Sequence, residues 1–374
     1  MDTITSKESF LKDQFKKYYL VHTLPEVRAL QRRELAVIPF GGKMTRHMGV
    51  KSHTALMEQL RRSAPAHVYH SAAMYAHPAA RTMEDKERIG TDLVFDLDAD
   101  HIPGAALWTY ERQLDRVKQQ TIRLLEALEV DFGVPHQDLE VVFSGRRGYH
   151  VRALSKAHLS STARREIAAA FTGAGLTLSG ELIPLVVEKE TLLRLPPAGG
   201  WAARARRNLE GFLQVLDGMG DTARIGALRT IPGIGEKGAK LIKSSNYSPG
   251  GIWTSSTAET RAWKALWKYA WESAKVDIDA PVTADVHRLI RCPDSLHGKT
   301  GLRAALLPPG ALEYFDPLKD AVVFDDIPVT VITDHDVEFS LRSERFHLRS
   351  GDEAELPMFA AVFALAGSAT PPWG

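Results

Sequence analysis

The chain has 374 residues, 44% of them hydrophobic and 25% charged, which is ordinary globular composition and length for two or three domains. A net charge of +1 excludes a global basic footprint, so any nucleic-acid surface has to be local. One cysteine, Cys292, excludes an internal disulfide and a cysteine-rich zinc cluster, and no run approaches the roughly 18 apolar residues of a membrane span.

The N-terminus mixes Lys7, Lys12, Lys16 and Lys17 with Phe10, Phe15, Tyr18 and Tyr19 and lacks the apolar centre of a signal peptide, so a cytoplasmic protein is expected. Helical spacing predicts an amphipathic helix over residues 6–20 and another over Glu26 to Leu35, before Pro39-Phe40-Gly41-Gly42 breaks the pattern. A basic strand is expected around Lys43 to His47, a helix over 54–63, and a short strand at His67-Val68-Tyr69 leading into Ser71 to Tyr75. Leu93 to Asp98 is an apolar strand, Leu107 to Leu128 has helical spacing, and Leu139 to Phe143 is β-rich. That strand turns through Ser144-Gly145-Arg146-Arg147-Gly148 and leaves as Tyr149-His150-Val151-Arg152, a hairpin with arginines at its turn. Arg152 shares a strand face with His150 and reads as an extension of the basic surface or as a solvated residue.

From Lys156 to Lys275 the chain is rich in Ala, Arg, Lys and Leu at helical spacing, with a loop at Pro196-Pro197-Ala198-Gly199-Gly200, and reads as a helical insertion. Trp263, Trp267 and Trp271 form one stripe there, which core packing explains better than a stacking platform for bases. The segments Val322 to Phe324, Val329 to Ile332 and Val337 to Leu341 are expected as strands, and Phe359 to Leu365 closes the chain as an apolar segment.

The chemistry is densest in Leu93-Val94-Phe95-Asp96-Leu97-Asp98. Alternation places Asp96 and Asp98 on one strand face, where two crowded carboxylates repel unless a cation or an acid-base task holds them. A divalent Mg²⁺ or Mn²⁺, which takes oxygen ligands and shares them with substrate phosphates, resolves the repulsion. Ser144, Arg146, Arg147 and His150 suit a triphosphate, because guanidinium forks bind phosphate oxygens in pairs. Asp279 to Gly301 adds the candidate acid Asp279 and several phosphate donors, including Arg288, Arg291, His297 and Lys299; Arg46-His47 is a further basic pair. Ile231 to Ile242 resembles a helix-hairpin-helix, which docks a DNA phosphate without reading bases and which a plain tight helix connection would explain equally. Cys292 reads as a buried thiol.

Asp96-Leu97-Asp98, the Ser144 to His150 turn and Arg288 to Gly301, in that order and separation, together resemble the catalytic small subunit of archaeal and eukaryotic DNA primase. His67-Val68-Tyr69, Val130-Asp131-Phe132-Gly133, Ser295 to Gly301 and Phe315-Asp316-Pro317-Leu318 extend the match over most of the chain. The resemblance implies a mixed α/β (α+β) fold, the archaeo-eukaryotic primase fold, with its core in residues 1–155 and 276–374 and an inserted helical subdomain over 156–275. It implies that Asp96, Asp98 and Asp279 hold two catalytic Mg²⁺ or Mn²⁺ ions. Ser144, Arg146, Arg147, His150, Arg291, His297 and Arg46 would contact the incoming nucleotide. Many relatives carry a cysteine-rich zinc knob after the Asp pair; Ile102 to Arg116 has no cysteine, so zinc is not expected.

The implied activity is template-dependent synthesis of short RNA primers, with DNA primers also open, from nucleoside triphosphates by two-metal nucleotidyl transfer. The implied partners are a large subunit in a heterodimer and a single-stranded DNA template, with no membrane, in a cytoplasmic, nucleoid-associated setting. The alternatives are a stand-alone primase-polymerase for repair or mobile elements, a DNA-binding scaffold with an inactive site, and a sugar-nucleotide transferase. The last explains the Asp pair but not the other segments.

Overall fold

The computed structural model describes residues 6–154, 158–176, 183–187, 190–196, 199–245, 247 and 252–367. Its contacts divide the chain into two compact units, Met1–Ala168 with Asp277–Gly374, and Ala169–Val276. Pro197 and Ala198 of the expected loop, and Lys156 at the expected domain boundary, lie outside the described residues.

The first unit opens with α1 (Ser6–Val21), whose Leu11, Phe15, Tyr18 and Tyr19 recur at helical spacing and are buried. β1 (Leu35–Ile38) and β2 (Thr45–Met48) precede α2 (His53–Ser63), which starts at Ser52, whose hydroxyl accepts the Ala55 N–H at 3.1 Å. β3 (His67–Ser71), β4 (Ala73–Tyr75), β5 (Arg88–Thr91) and β6 (Leu93–Asp98) lead to α3 (Tyr110–Val130). β7 (Leu139–Phe143) and β8 (Gly148–Ala153) form the expected hairpin, and α4 (Ser161–Thr172) spans the boundary at Ala168. The second unit holds β9 (Ile183–Val187), β10 (Glu190–Arg194), α5 (Gly200–Asp217), α6 (Asp221–Arg229), α7 (Glu236–Lys243), β11 (Ile252–Thr254) and α8 (Thr257–Glu272). The chain then returns to the first unit through α9 (Ala280–Ala284), β12 (Leu289–Arg291), β13 (Leu306–Leu307) and α10 (Pro317–Asp320). It ends with β14 (Pro328–Ile332), β15 (Val337–Leu341), β16 (Glu344–Leu348), β17 (Glu353–Pro357) and the buried apolar helix α11 (Met358–Ala366).

Two four-stranded antiparallel sheets organise the first unit, in the orders β12-β3-β1-β2 and β13-β7-β8-β6. α3 packs on β6 and β8 through buried Leu114, Val117, Leu124 and Leu128. Ala72, Val94, Val282 and Ile290 make a small buried cluster that joins the carboxylate strand β6 to α9 and β12. This is a mixed helix and sheet fold, as expected. In the second unit Trp263, Trp267 and Trp271 are at most 5% exposed and centre its core, and a three-stranded sheet, β11-β10-β9, accompanies the helices.

Three expectations are corrected. Glu26 to Leu35 is not a helix: Ala29 takes a left-handed φ of 53°, only Leu30–Arg32 make a 3₁₀ turn, and Leu35 is already paired with His70 in the sheet. Val322 to Phe324 is not a strand; the Phe324 ring stacks on Phe15 while its carbonyl accepts an N–H of Arg342, so the side chain packs without a ladder. Arg152 neither extends a basic surface nor is solvated. It is 1% exposed, and with Arg33 it donates to Asp92 Oδ2 at 2.8 and 2.7 Å, and it reaches Glu140 at 2.8 Å. A buried charge persists only when paired in this way.

Candidate active site

Strand pairing sets the centre of the site. β6 and β8 place Asp96 opposite His150 and Asp98 opposite Gly148, and His150 Nε2 lies 3.5 Å from Asp96 Oδ1. Burial holds the His150 imidazole below its usual range, with the Asp96 charge opposing that fall. Asp98 Oδ1 accepts the Asp100 N–H at 3.0 Å. Burial nevertheless raises the Asp98 carboxyl above the usual carboxylate range, with the charges of Asp100 and Asp96 adding to it and the backbone bond opposing. Asp279 is delivered by the main chain: its N–H donates to the Asp96 carbonyl at 2.8 Å. It caps α9 by accepting the Val282 N–H at 3.4 Å, and Oδ2 lies 3.8 Å from His101 Nε2.

The turn between β7 and β8 is built for close approach. Ser144 Oγ accepts the N–H groups of Arg146 and Gly148 at 3.4 and 3.2 Å, which folds the arginines over it. Gly145 has φ +83°, and a Cβ there would meet His297 Cβ at 2.7 Å; at Gly148 a Cβ would meet the Leu97 carbonyl at 2.2 Å. The Thr300 hydroxyl donates to the Gly145 carbonyl at 2.6 Å, tying the Ser295 to Gly301 loop to the turn. Arg147 donates to Asp100 Oδ2 at 2.6 Å. Arg146 Nε, Arg147 Nε and His150 Nδ1 are buried with no hydrogen-bond partner among the described residues.

On the second sheet Arg291 of β12 stands opposite Tyr69 of β3. Its guanidinium lies 4.8 Å from the Tyr69 ring centroid, donates to Tyr69 Oη at 3.1 Å and reaches His67 Nδ1 at 3.0 Å. The His297 ring meets the edge of His67, centroids 4.9 Å apart. Burial and then the Arg291 charge depress both imidazoles, His67 to about 2 and His297 well below its usual range, so both are neutral. Lys299 and Arg146 act on the same two rings, which defines a strongly cationic corner.

The structure thus places Asp96 and Asp98 on one strand beside His150, brings the Asp279 main chain against Asp96 while its carboxylate caps α9 near His101, and joins the Ser144 to Arg147 turn to the loop of His297 and, through His67, to Arg291. Arg46 is held by Glu34: both oxygens of that buried carboxylate accept from it, at 3.1 and 3.4 Å, and Glu34 also takes the His47 N–H at 3.0 Å and lies 3.5 Å from buried Lys86. Sequence reading did not place His67 in the site. Its signals were a place on the short strand before Ser71 to Tyr75 and in a stretch that supports the family resemblance, and the β3–β12 pairing carries that strand to Arg291.

Among the described residues no three His, Cys, Asp or Glu side chains converge closely enough to hold a metal ion. The donor chemistry of Asp96, Asp98 and Asp279 is all oxygen, and each of the three is half-buried. That suits Mg²⁺ or Mn²⁺, which keeps water and substrate phosphates in its shell, better than zinc.

A strand-borne carboxylate pair facing a glycine turn rich in arginine defines an α/β protein equipped to handle nucleotide phosphates. The family model described as DNA primase small subunit matches residues 95–307, and the chain belongs to that family. A DNA primase small subunit PriS of Methanothrix thermoacetophila is 38% identical over 98% of each chain. Those of Methanococcoides burtonii and Picrophilus torridus are each 35% identical, covering 96% and 93% of this chain and 97% and 94% of their own. A polymerase domain of Mycobacterium tuberculosis Ligase D, solved with DNA, aligns over 83% of each chain at 14% identity with a TM-score of 0.34, too distant to add to this assignment.

Proposed function

We propose that the chain joins nucleoside triphosphates on a single-stranded DNA template to make short primers, with Asp96, Asp98 and Asp279 as the residues that hold divalent ions. The observation that supports this reading is the Asp279 N–H on the Asp96 carbonyl, which ties the main chain carrying the third acid to the strand that carries the pair. When bound, Mg²⁺ or Mn²⁺ would activate the attacking oxygen and stabilise charge on the departing pyrophosphate. The chain's own part is to position and neutralise. Arg146 and Arg147, with side-chain donors left open in the protein, bind the triphosphate, and Ser144 holds their turn. His150 orients Asp96. Arg291, fixed by Tyr69 and His67, adds positive charge beside neutral His297, whose Nδ1 accepts the Lys299 N–H at 3.2 Å and whose Nε2–H is left to donate. Arg46, oriented by Glu34, makes a further phosphate or sugar contact.

The family name supports a large subunit as partner and a cytoplasmic, nucleoid-associated setting. The test is incorporation of labelled NTPs and dNTPs on unprimed single-stranded DNA with Mg²⁺ or Mn²⁺. The parent should make metal-dependent oligomers, and Asp96→Ala should lose at least about a thousandfold in turnover while its melting profile is kept. Substantial polymerisation by Asp96→Ala would overturn the assignment.

A further inference from the structure

The helix-hairpin-helix-like segment is not used by the chemistry above, and its surroundings concentrate the charge of the molecule. Residues 228–268 hold seven basic side chains and two acidic ones, a net of +5 in a chain whose total is +1. Within the second unit, α6 ends at Arg229 and α7 begins at Glu236, joined by a turn in which Gly233 has φ +88°. The hairpin lies directly on α8: a Cβ on Gly233 would meet Ala265 Cβ at 3.3 Å, and one on Gly238 would meet Ala262 Cβ at 3.1 Å.

The cations border that contact. Arg261, Lys264 and Lys268 are spaced three and four apart, so they share one face of α8, with Ala265 flanking it, and all three are exposed. Lys237 is exposed on the first turn of α7, and Arg229 on the last turn of α6. Two other lysines are neutralised internally, Lys240 by Glu236 at 2.7 Å and Lys243 by Asp221. Among the described residues Arg229, Lys237, Arg261, Lys264 and Lys268 have no acidic side chain within ion-pair distance. The tryptophans of α8 are committed to the core and are therefore unable to stack unpaired bases. Gly235 caps α7 without a side-chain acceptor, so the first-turn amides remain open on the same hairpin.

We propose that the α6–α7 hairpin and the basic face of α8 form a second nucleic-acid surface, in the second unit, that grips the phosphate backbone of duplex DNA without reading its sequence. Charge and backbone amides recognise phosphates, and with the tryptophans buried the surface favours a paired backbone over splayed bases. The proposal deepens the reading above, from joining nucleotides to holding the duplex they produce, but stands on separate residues.

It is tested on the intact chain with a fluorescein-labelled duplex and no nucleotide present, so that it can fail or succeed independently of polymerisation. Anisotropy titrations run between about 50 and 200 mM salt. The variant Lys237→Gln/Lys264→Gln/Lys268→Gln should bind roughly tenfold or more weakly, and its salt slope should fall by about 2 to 3. Arginine at the same three positions should retain binding, and turnover at saturating template should match the parent. Parent-like affinity and slope in the glutamine variant would overturn the surface. So would equal losses in the arginine variant, because charge would then not be the cause. A preference for single strands that disappears with the same lysines would overturn the duplex assignment.

Discussion

His70 and His297 show how single residues in this protein are governed by burial. His70 is 0% exposed and His297 7%, and burial, with arginines nearby, holds both well below the usual imidazole range. In the unfolded chain each takes up a proton below about pH 6.5, whereas in the fold each stays neutral. Folding stability is therefore full above that pH and declines below it, by up to about 2 kcal/mol per histidine by pH 5. Urea midpoints measured at pH 7 and pH 5 should show this loss, and His297→Gln should lose less on acidification than the parent. An unchanged pH difference in that variant would remove His297 from the explanation. The two glycines of the arginine turn were legible as turn residues, yet their reasons differ. Gly145 needs a left-handed φ, while Gly148 needs room for the Leu97 carbonyl of the neighbouring strand. The second reason exists only once β6 and β8 are paired.

At the scale of elements, β6 is positioned by charges that the sequence did not advertise. Asp92, just before the strand, is 1% exposed and receives Arg33 from before β1 and Arg152 from β8, while buried Arg164 of α4 donates to the Asp92 carbonyl at 2.9 Å. Removing the charge at Asp92 leaves two buried guanidinium groups without their shared partner. Asp92→Asn should therefore cost about 3–5 kcal/mol, read as a drop in the chemical denaturation midpoint. The same variant should lower nucleotide incorporation by displacing β6 even though Asp92 is not a site residue. A midpoint within error of the parent would mean that the network is incidental. Periodicity revealed α1, α2 and α3 because their buried residues recur every three to four positions, but it failed for Glu26 to Leu35, where sheet pairing of Leu35 won over a weak helical pattern. Local spacing carries no information about a partner strand more than thirty residues away.

For the whole molecule, the second unit has a core of its own in which Trp263, Trp267 and Trp271 pack with Leu209, Leu216 and Ile242. Separate cores predict separate unfolding. Trp267→Ala should destabilise the second unit by about 3–5 kcal/mol and lower one calorimetric transition while the other keeps its temperature. A single transition that shifts as a whole would show that the two units unfold cooperatively.

The sequence by itself carried the acid pair Asp96 and Asp98, the arginine turn and the basic last segment as local patterns readable residue by residue, while Asp279 as a third acid came only with the family they resemble. It also determined the mixed fold class, since helical and alternating periods are properties of short windows. Tertiary structure alone decided which of these patterns meet. The hydrogen bond from Asp279 to Asp96, the pairing of Arg291 with Tyr69 and its contact with His67, and the burial that turned Arg152 from an expected surface residue into a core ion pair all join positions far apart in the chain. Such contacts depend on sheet register and packing, which are set by the fold as a whole.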